Sequence, residues 1–368
     1  MKHTLFLLVL VITACSTDKN DQTENIPILS GVKWYKGNTH THTILCNHAD
    51  SHPDTVARWY LDRDYNFIIL SEHNQFIDPN SVNLPADRRK DFILIPGEEV
   101  TDHSHVHTTA MNIDELVPGE YPSDQVLAEN AHIGDLKVYL MQKHVDSIRG
   151  VSGTPILNHP NFVTGMAASQ IQQVERLHMI ELYNGHPDVH NWGTEVHASM
   201  EVKWDSLLTA GRKIYGVSSD DAHYFKDWGT NYSNPGRGWV MVQSDSLSGE
   251  AITAAMSNGK FYASSGVILS VVNASVSSYE VVVDTVATKE AIGSPYVVGH
   301  RVETSSPGFL IQFIADRGEV VKEVDGVTAK MEIPAGVIYL RIKITFSREK
   351  GGGSEQFYAW TQPVFRKY

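Results

Sequence analysis

Cysteine is nearly absent from the 368-residue chain: Cys15 and Cys46 are its only thiols, too few for a disulfide framework. Positive charge is also scarce. The 30 lysines and arginines face 43 aspartates and glutamates, and a net charge of −13 argues against a broad basic footprint for duplex nucleic acid or anionic lipid. No internal repeat or low-complexity tract stands out, and beyond the first 15 residues no apolar run is long enough to cross a bilayer as a helix. With 42% hydrophobic and 20% charged residues and a mean hydropathy of −0.22, the chain is too apolar for disorder and too mixed for collagen or a coiled coil. It can bury a sizeable core, and its length suits one large domain with a smaller one.

At the start, Lys2 precedes an apolar run over residues 5–12, and Ile12-Thr13-Ala14-Cys15 has the small-residue pattern of a secretory cleavage site. Small residues directly before a cysteine resemble the lipobox of bacterial lipoproteins. That resemblance implies a signal peptide over residues 1–15 and lipidation of Cys15; the alternative is an ordinary signal peptide with an incidental cysteine. Residues 16–30 are polar, lack periodicity and read as a tether. The body is therefore expected in the cell envelope, on the periplasmic side or at the surface of a bacterium, touching membrane through its lipid alone.

Within residues 31–264, apolar β-prone runs recur at 32–36, 67–70, 92–95, 106–113, 155–157, 179–182, 214–217 and 239–242. Helix-like stretches lie between several of them, the arrangement of an α/β fold with parallel βα units. One helix is expected over 53–63, where Pro53 suits the first turn and Val56, Trp59, Tyr60 and Arg63 fall at helical spacing; another over 249–258 should stop at Gly259. After residue 264 the texture changes. Residues 337–346 alternate strictly, with Ile338, Leu340, Ile342, Ile344 and Phe346 on one face and Tyr339, Arg341, Lys343 and Thr345 on the other, which predicts a half-buried antiparallel strand. Residues 279–283, 309–315 and 357–360 look similar, so 265–368 reads as a small all-β sandwich domain.

Of the 18 histidines, all but His3 and His300 lie between residues 40 and 223. They sit where the apolar runs end. The first run leads to His40-Thr41-His42, the second to Ser71-Glu72-His73 and the third to Gly97-Glu98-Glu99. The fourth contains His107, the fifth ends in Asn158-His159-Pro160, the sixth contains Glu181, and the seventh gives Asp220-Asp221-Ala222-His223. In a barrel of parallel strands such residues converge on one rim. Nitrogen and carboxylate donors suit zinc, manganese or iron, and their number exceeds what one ion accepts, so two or three divalent ions are expected.

In order along the chain, Gly37-Asn38-Thr39-His40-Thr41-His42-Thr43, Ser71-Glu72-His73-Asn74, Pro96-Gly97-Glu98-Glu99-Val100-Thr101, His107, Asn158-His159-Pro160 and Ser219-Asp220-Asp221-Ala222-His223 resemble the successive motifs of the PHP (polymerase and histidinol phosphatase) domain. The stretch from Gly259 to Gly266 is similar to the closing segment of many stand-alone members, and the likeness covers residues 33–266. It implies a distorted (β/α)7 TIM-like barrel that holds up to three metals and hydrolyses phosphoesters. By position, His40, His42, Glu99 and Asp221 would hold one metal, and Glu99 would bridge to a second held with His107 and His159. A third would use His73, His223 and a loop residue. Many relatives carry Ser-Asp-Gly in that loop, where this chain has Cys46-Asn47-His48-Ala49-Asp50; His48 and Asp50 are both candidates, Asp50 slightly preferred, and Cys46 lies close enough to touch metal but reads first as a buried apolar cysteine.

A cluster of this kind ionises a water for in-line attack on phosphorus, with His223 or His73 assisting the leaving group. Glu181 and Asn184 are expected at a rim where substrate lies, or in support of the ligands. Arg237 is suited to grip a phosphate bidentately, or serves as a turn arginine. His186, His190, His197, His103 and His105 read as surface or loop residues. A small phosphorylated substrate is the expected partner. The competing readings are a metal-dependent hydrolase of another bond, such as an amide or ester, and a non-catalytic surface lipoprotein binding glycan or a partner. If the lipoprotein reading holds, palmitate labels the protein in its native host and the label is lost in Cys15→Ser; a mature protein that carries no lipid overturns it.

Overall fold

The computed structural model describes residues 33–102, 106–119, 133–163 and 165–366. Strands β1 (Lys33–Asn38), β2 (Phe67–Ile68), β3 (Ile93–Leu94), β4 (Gly97–Thr101), β5 (His107–Met111), β6 (Thr154–Leu157), β7 (Met179–Asn184), β8 (Tyr215–Ser219), β9 (Trp239–Ser244) and β10 (Phe261–Ser264) make the first part. Six α-helices occur among the described residues: α1 (Pro53–Leu61), α2 (Ile133–Gly150), α3 (Ala168–Ile171), α4 (Met200–Thr209), α5 (Gly249–Ser257) and α6 (Thr285–Gly293). None of them is long and apolar enough to cross a membrane.

The strands form two arcs. In one, β1, β2 and β3 run parallel while β9 lies antiparallel to β1 and β10 antiparallel to β9. The ring of Phe67 lies across Gly37, its partner in the β1–β2 ladder, where any side chain would collide with it. In the other arc the order is β4-β5-β6-β7-β8, antiparallel from β4 to β6 and parallel from β6 to β8. The arcs meet at two isolated parallel bridges, Thr41 with Ala222 and His73 with Glu99.

Among the described residues the ladder does not close into a continuous barrel, and the expectation of parallel βα units throughout is corrected. The connection at 102–106 is too short for a crossover, which needs a dozen residues or more, so β4 and β5 are forced into a hairpin. Gly97–Thr101 is itself a strand, where the sequence suggested only a strand end. Helix α1 buries Val56, Ala57, Trp59, Tyr60 and Leu61 and stops before Arg63, whose guanidinium lies over the Trp59 ring instead. Helix α5 is capped by the Ser248 hydroxyl, and the chain leaves it through Gly259 at φ +70°.

The remaining strands are β11 (Leu269–Ala274), β12 (Ser278–Val283), β13 (His300–Val302), β14 (Gly308–Ala315), β15 (Glu319–Asp325), β16 (Thr328–Glu332), β17 (Tyr339–Lys350), β18 (Gly353–Thr361) and β19 (Val364–Phe365). Strands β11, β12 and β16 form one sheet; β18 pairs with β10 and so carries the other strands into an eleven-stranded sheet that crosses residue 264 without a break. Leu269, Tyr279 and Val281 from the small sheet share a core with Ile311, Phe313, Ile342 and Phe357 from the large one. The region is not all-β, because α6 lies within it.

Strand β17 departs from the half-buried strand that its alternation predicts. Ile342 and Ile344 are buried as expected, but Tyr339, Arg341 and Thr345 on the opposite face are buried too, because α4 covers it. Asp205 on that helix accepts from Arg341 Nε at 2.7 Å and Nη2 at 2.6 Å, and from the Tyr339 hydroxyl at 2.8 Å. With Arg341 only 1% exposed, removing the carboxylate strands a buried guanidinium. Asp205→Ala is therefore expected to cost about 3–5 kcal/mol of unfolding free energy, measured by urea denaturation.

Candidate metal centre

The two ends of the seam between the arcs build the cluster. Beyond Asn38 the chain bends at Thr39 and bridges to Ala222 at Thr41, and His40 and His42, two residues apart, bring their Nε2 atoms within 3.1 Å of each other. The Asn38 side-chain oxygen accepts from the His40 amide at 2.9 Å, and the segment is zipped to the 221–222 backbone by Asp221 N–H to His40 O (2.9 Å) and His42 N–H to Ala222 O (2.8 Å). At the other end, Glu99 N–H donates to Glu72 O and Asn74 N–H to Glu99 O, both at 2.9 Å. Asp221 at φ +49° and His159 at φ +25° hold left-handed backbone that non-glycine residues seldom adopt, strain of the sort that collects at functional sites.

Glu99 is the hub. His40 Nε2 and His159 Nε2 lie 3.2 Å from its Oε1, His107 Nδ1 3.3 Å from the same oxygen, His73 Nδ1 2.8 Å and His42 Nε2 3.6 Å from Oε2. The Asn158 amide adds a hydrogen bond to Oε1 at 2.8 Å. Asp221 Oδ1 lies 3.2 Å from His40 Nε2, 3.3 Å from His42 Nε2 and 3.7 Å from His223 Nδ1. Glu98 points the other way, accepting from Val117 N–H at 2.5 Å, and burial pushes its carboxyl up to about 7. Asp220 also turns away, taking hydrogen bonds from Tyr60 and from the amides of Gly236, Arg237 and Gly238. Thus His40, His42, His73, Glu99, His107, His159, Asp221 and His223 come together as the sequence suggests.

Asp50 does not join them. Its carboxylate accepts from Phe225 N–H at 3.0 Å and Lys226 N–H at 2.9 Å and pins the 224–226 loop; burial opposes ionisation, yet those amides and Ser51 keep the carboxyl below its ordinary value. His48 occupies the loop position instead, its ring centroid 4.7 Å from that of His223 and 5.1 Å from that of His73. Cys46 is buried but not in apolar surroundings: its Sγ lies within 4.8 Å of a ring nitrogen of His48 and of His223, and within the same reach of His42 and a Glu72 carboxylate oxygen. Without a metal, burial pushes the thiol up to about 11.

Glu181 and Asn184 lie beneath the cluster and are not open to substrate. Glu181 accepts from His40 Nδ1 at 2.8 Å and Ser219 Oγ at 2.5 Å through one oxygen, and from His159 N–H at 2.6 Å and the Asn184 amide at 2.8 Å through the other. Both oxygens are spent on orienting two imidazole-bearing segments. Asn184 reaches Asp221 Oδ2 as well, at 3.2 Å. Arg237 is spent likewise: its guanidinium donates to Gly185 O, Gly229 O and Asn234 Oδ1, bracing loops. The sequence reading missed Asn158 as a support for Glu99; His186, read as a surface or loop residue, lies in the loop after β7, half-buried, with its ring 5.8 Å from that of His223. His103, His105 and Cys15 lie outside the described residues.

The electrostatics suit a cation. Burial works against ionising Glu99, but His40, His73 and His107 hold its carboxyl well below the usual carboxylate range; Asp221 is lowered the same way by His40 and His42. Burial presses the His42 and His223 rings down, His223 to about 4, so they stay neutral and free to act as ligands near neutral pH. Among the described residues no lysine or arginine pairs with Glu99, Asp221 or Glu181. His40 Nε2 and His42 Nε2 face each other at 3.1 Å, and His159 Nδ1 and His223 Nε2 are buried without a hydrogen-bond partner. Groupings such as His40–His42–Asp221, His40–Glu99–His159 and His42–His73–His223 keep their donor atoms within 4.8 Å of one another. The residues therefore fit divalent metal binding.

No family model matches the chain, and no curated protein matches it. Among solved structures it is similar to a two-domain protein containing a predicted PHP-like metal-dependent phosphoesterase from Bacteroides vulgatus, at 13% identity and a TM-score of 0.42, over 90% of this chain and 96% of that one. At that score the likeness decides nothing about fold or chemistry.

Because Glu181 touches two ligand segments without facing the cluster, Glu181→Gln is expected to lower metal affinity by about 10–100-fold, read by competition with a chromogenic chelator, while the fold persists.

Proposed function

We propose that the chain is a metal-dependent hydrolase of phosphoesters, a PHP-type phosphatase or phosphodiesterase, on a distorted (β/α)7-like barrel, with residues 265–368 as a β-rich second domain. On this reading it works in the cell envelope, held there by a lipid on Cys15. The observation that carries the proposal is the closure of five imidazoles on Glu99, with Asp221 alongside and, among the described residues, no lysine or arginine paired with either carboxylate. The choice of phosphoesters over other bonds rests on the ordered motifs of the sequence.

Two or three divalent ions held by His40, His42, His73, Glu99, His107, His159, Asp221 and His223 would supply an acidified water and offset the charge of phosphate oxygens. The protein's own part is positioning and proton handling. Glu181 anchors His40 through Nδ1 and so turns Nε2 to the cluster, while Asn158 fixes the Glu99 carboxylate. Of the two histidines expected to assist the leaving group, His73 is the one open to solvent, its side chain 23% exposed against 7% for His223. Thr101 Oγ1 and Glu99 Oε2 engage His73 Nδ1, each at 2.8 Å. Burial opposes its protonation, but Glu99 raises the ring above its ordinary value; with two ions bound and His73 left unligated, it can hold a proton at Nε2 for the departing oxygen, a role it gives up when it serves as a ligand of a third.

A small phosphorylated substrate suits this arrangement, and duplex nucleic acid does not. The test is elemental analysis of the purified full chain, followed by phosphomonoesters, phosphodiesters, carboxylic esters and amides offered to the metal-loaded protein. Phosphoester turnover is expected, falling by more than about a hundredfold in His40→Ala and Glu99→Gln, beyond the loss expected for a supporting residue. Turnover that survives both substitutions, or a protein that neither carries nor takes up metal, overturns the proposal.

A further inference from the structure

We infer that Cys46, His48 and His223 form a thiolate-bearing cation subsite at the rim of the cluster, one that takes zinc or a similar ion and discriminates against manganese. The inference rests on the reading of the cluster as a metal centre and departs from the all-nitrogen-and-oxygen donor set that the sequence suggested. Three observations carry it. The Cys46 sulfur and a ring nitrogen from each histidine lie within 4.8 Å of one another, so modest closure brings them to zinc-ligand distances of about 2.3 Å for sulfur and about 2.0 Å for nitrogen.

The two imidazoles are also prepared for this role. A carbonyl only accepts, so His48 Nδ1 donates to Cys46 O at 2.8 Å; His223 Nδ1 is placed to donate to Asp221 O at 3.0 Å, with the Ser233 hydroxyl 3.2 Å from the same nitrogen. Each ring is thereby left with its lone pair on Nε2, the second-shell arrangement that metal-bound histidines use. His223 Nε2 is buried without a partner, in a residue only 6% exposed.

The loop conformation supplies the third observation. Ile44–Cys46 forms a single 3-10 turn, capped by Thr43, whose amide is held by Glu72 at 2.6 Å; Asn47 then takes a left-handed conformation at φ 66° that swings His48 back beside Cys46. Of the nearby carboxylates, Asp50 is bound to the amides of Phe225 and Lys226, whereas Glu72 holds the Thr43 amide through Oε1 and keeps a carboxylate oxygen within 4.8 Å of the Cys46 sulfur. A thiolate with two imidazoles is a borderline-to-soft set that favours zinc and cobalt over manganese. On binding, the Cys46 S–H bond breaks, sulfur keeps the electron pair in its bond to the ion, and the proton leaves to solvent with no change of oxidation state.

Cobalt(II) reads this out independently of turnover. The metal-free full chain is titrated with cobalt(II), with visible d–d bands reporting binding and a near-ultraviolet sulfur-to-cobalt charge-transfer band reporting a thiolate ligand. The charge-transfer band is expected in the wild type and in Cys15→Ser, is lost in Cys46→Ser, and yields to zinc(II) but not to equimolar manganese(II). His48→Ala, a change at an exposed side chain, is expected to weaken formation of the band at least about tenfold. If d–d bands appear without charge transfer, or the charge-transfer band survives Cys46→Ser, the thiolate subsite is overturned while the cluster stands. If no cobalt binds, the cluster reading fails and this inference with it.

Discussion

Two carboxylates, Glu99 and Asp221, are buried with imidazoles as their charge partners, and the rest of the site is organised around the cost of that arrangement. An isolated buried carboxylate is among the most expensive groups a protein can hold, and it survives only when paired, hydrogen-bonded or neutralised. An arginine against each would have solved the problem and closed the site. The chain instead surrounds them with rings that are good ligands only when neutral, and a neutral imidazole does not cancel a carboxylate. Without a metal the balance falls to protonation: burial opposes it, but Glu99, Asp221 and Glu181 raise His40 and His159, and Glu99 raises His73, so a cation that binds displaces those protons, with Glu181, Asn158 and Asn184 holding the donors in place.

That constraint also explains the seam between the two arcs. A continuous ladder would have used the strand-end amides and carbonyls in regular pairing. At isolated bridges the chain can leave the ladder, and it does so at Thr41–Ala222 and His73–Glu99, within one or two residues of six donors. The left-handed backbone at Asp221 and His159 is part of the same cost, since each re-aims a ligand that extended geometry would point elsewhere.

The donors themselves could be read from the sequence because each is a histidine or acid placed where an apolar run ends, and few structural roles demand such residues in that order. What could not be read was saturation. Nothing in Ile180-Glu181-Leu182 reveals that four donors consume the carboxylate, and nothing around Arg237 reveals that three oxygens claim its guanidinium. By sequence His48 and Asp50 are both open as the loop ligand, with a slight lean to Asp50, and the sequence does not reveal a turn at Asn47 that sets His48 beside Cys46 while the Asp50 carboxylate takes the amides of Phe225 and Lys226. Strand order suffered in the same way: apolar runs predict strands, but the brevity of 102–106, not composition, makes β5 antiparallel. The polar face of β17 looked solvent-facing because its cover, α4, lies far away in sequence.

Arginine usage then bears on the substrate. Arg341 is bound to Asp205 between α4 and β17, and Arg237 braces the loops beside Gly185 and Gly229, so the two most buried guanidinium groups serve the scaffold. A phosphoester in this site would meet imidazoles, amides and the ions they hold, with no guanidinium fork presented by Arg237 to fix two oxygens in a plane. Recognition would then depend on charge density and on the radial geometry of the cluster more than on bidentate hydrogen bonding. On that reading the site would be selective for the anionic group being cleaved and permissive toward what is attached to it, and discrimination among leaving groups would fall to the rim that carries exposed His48 and half-buried His73.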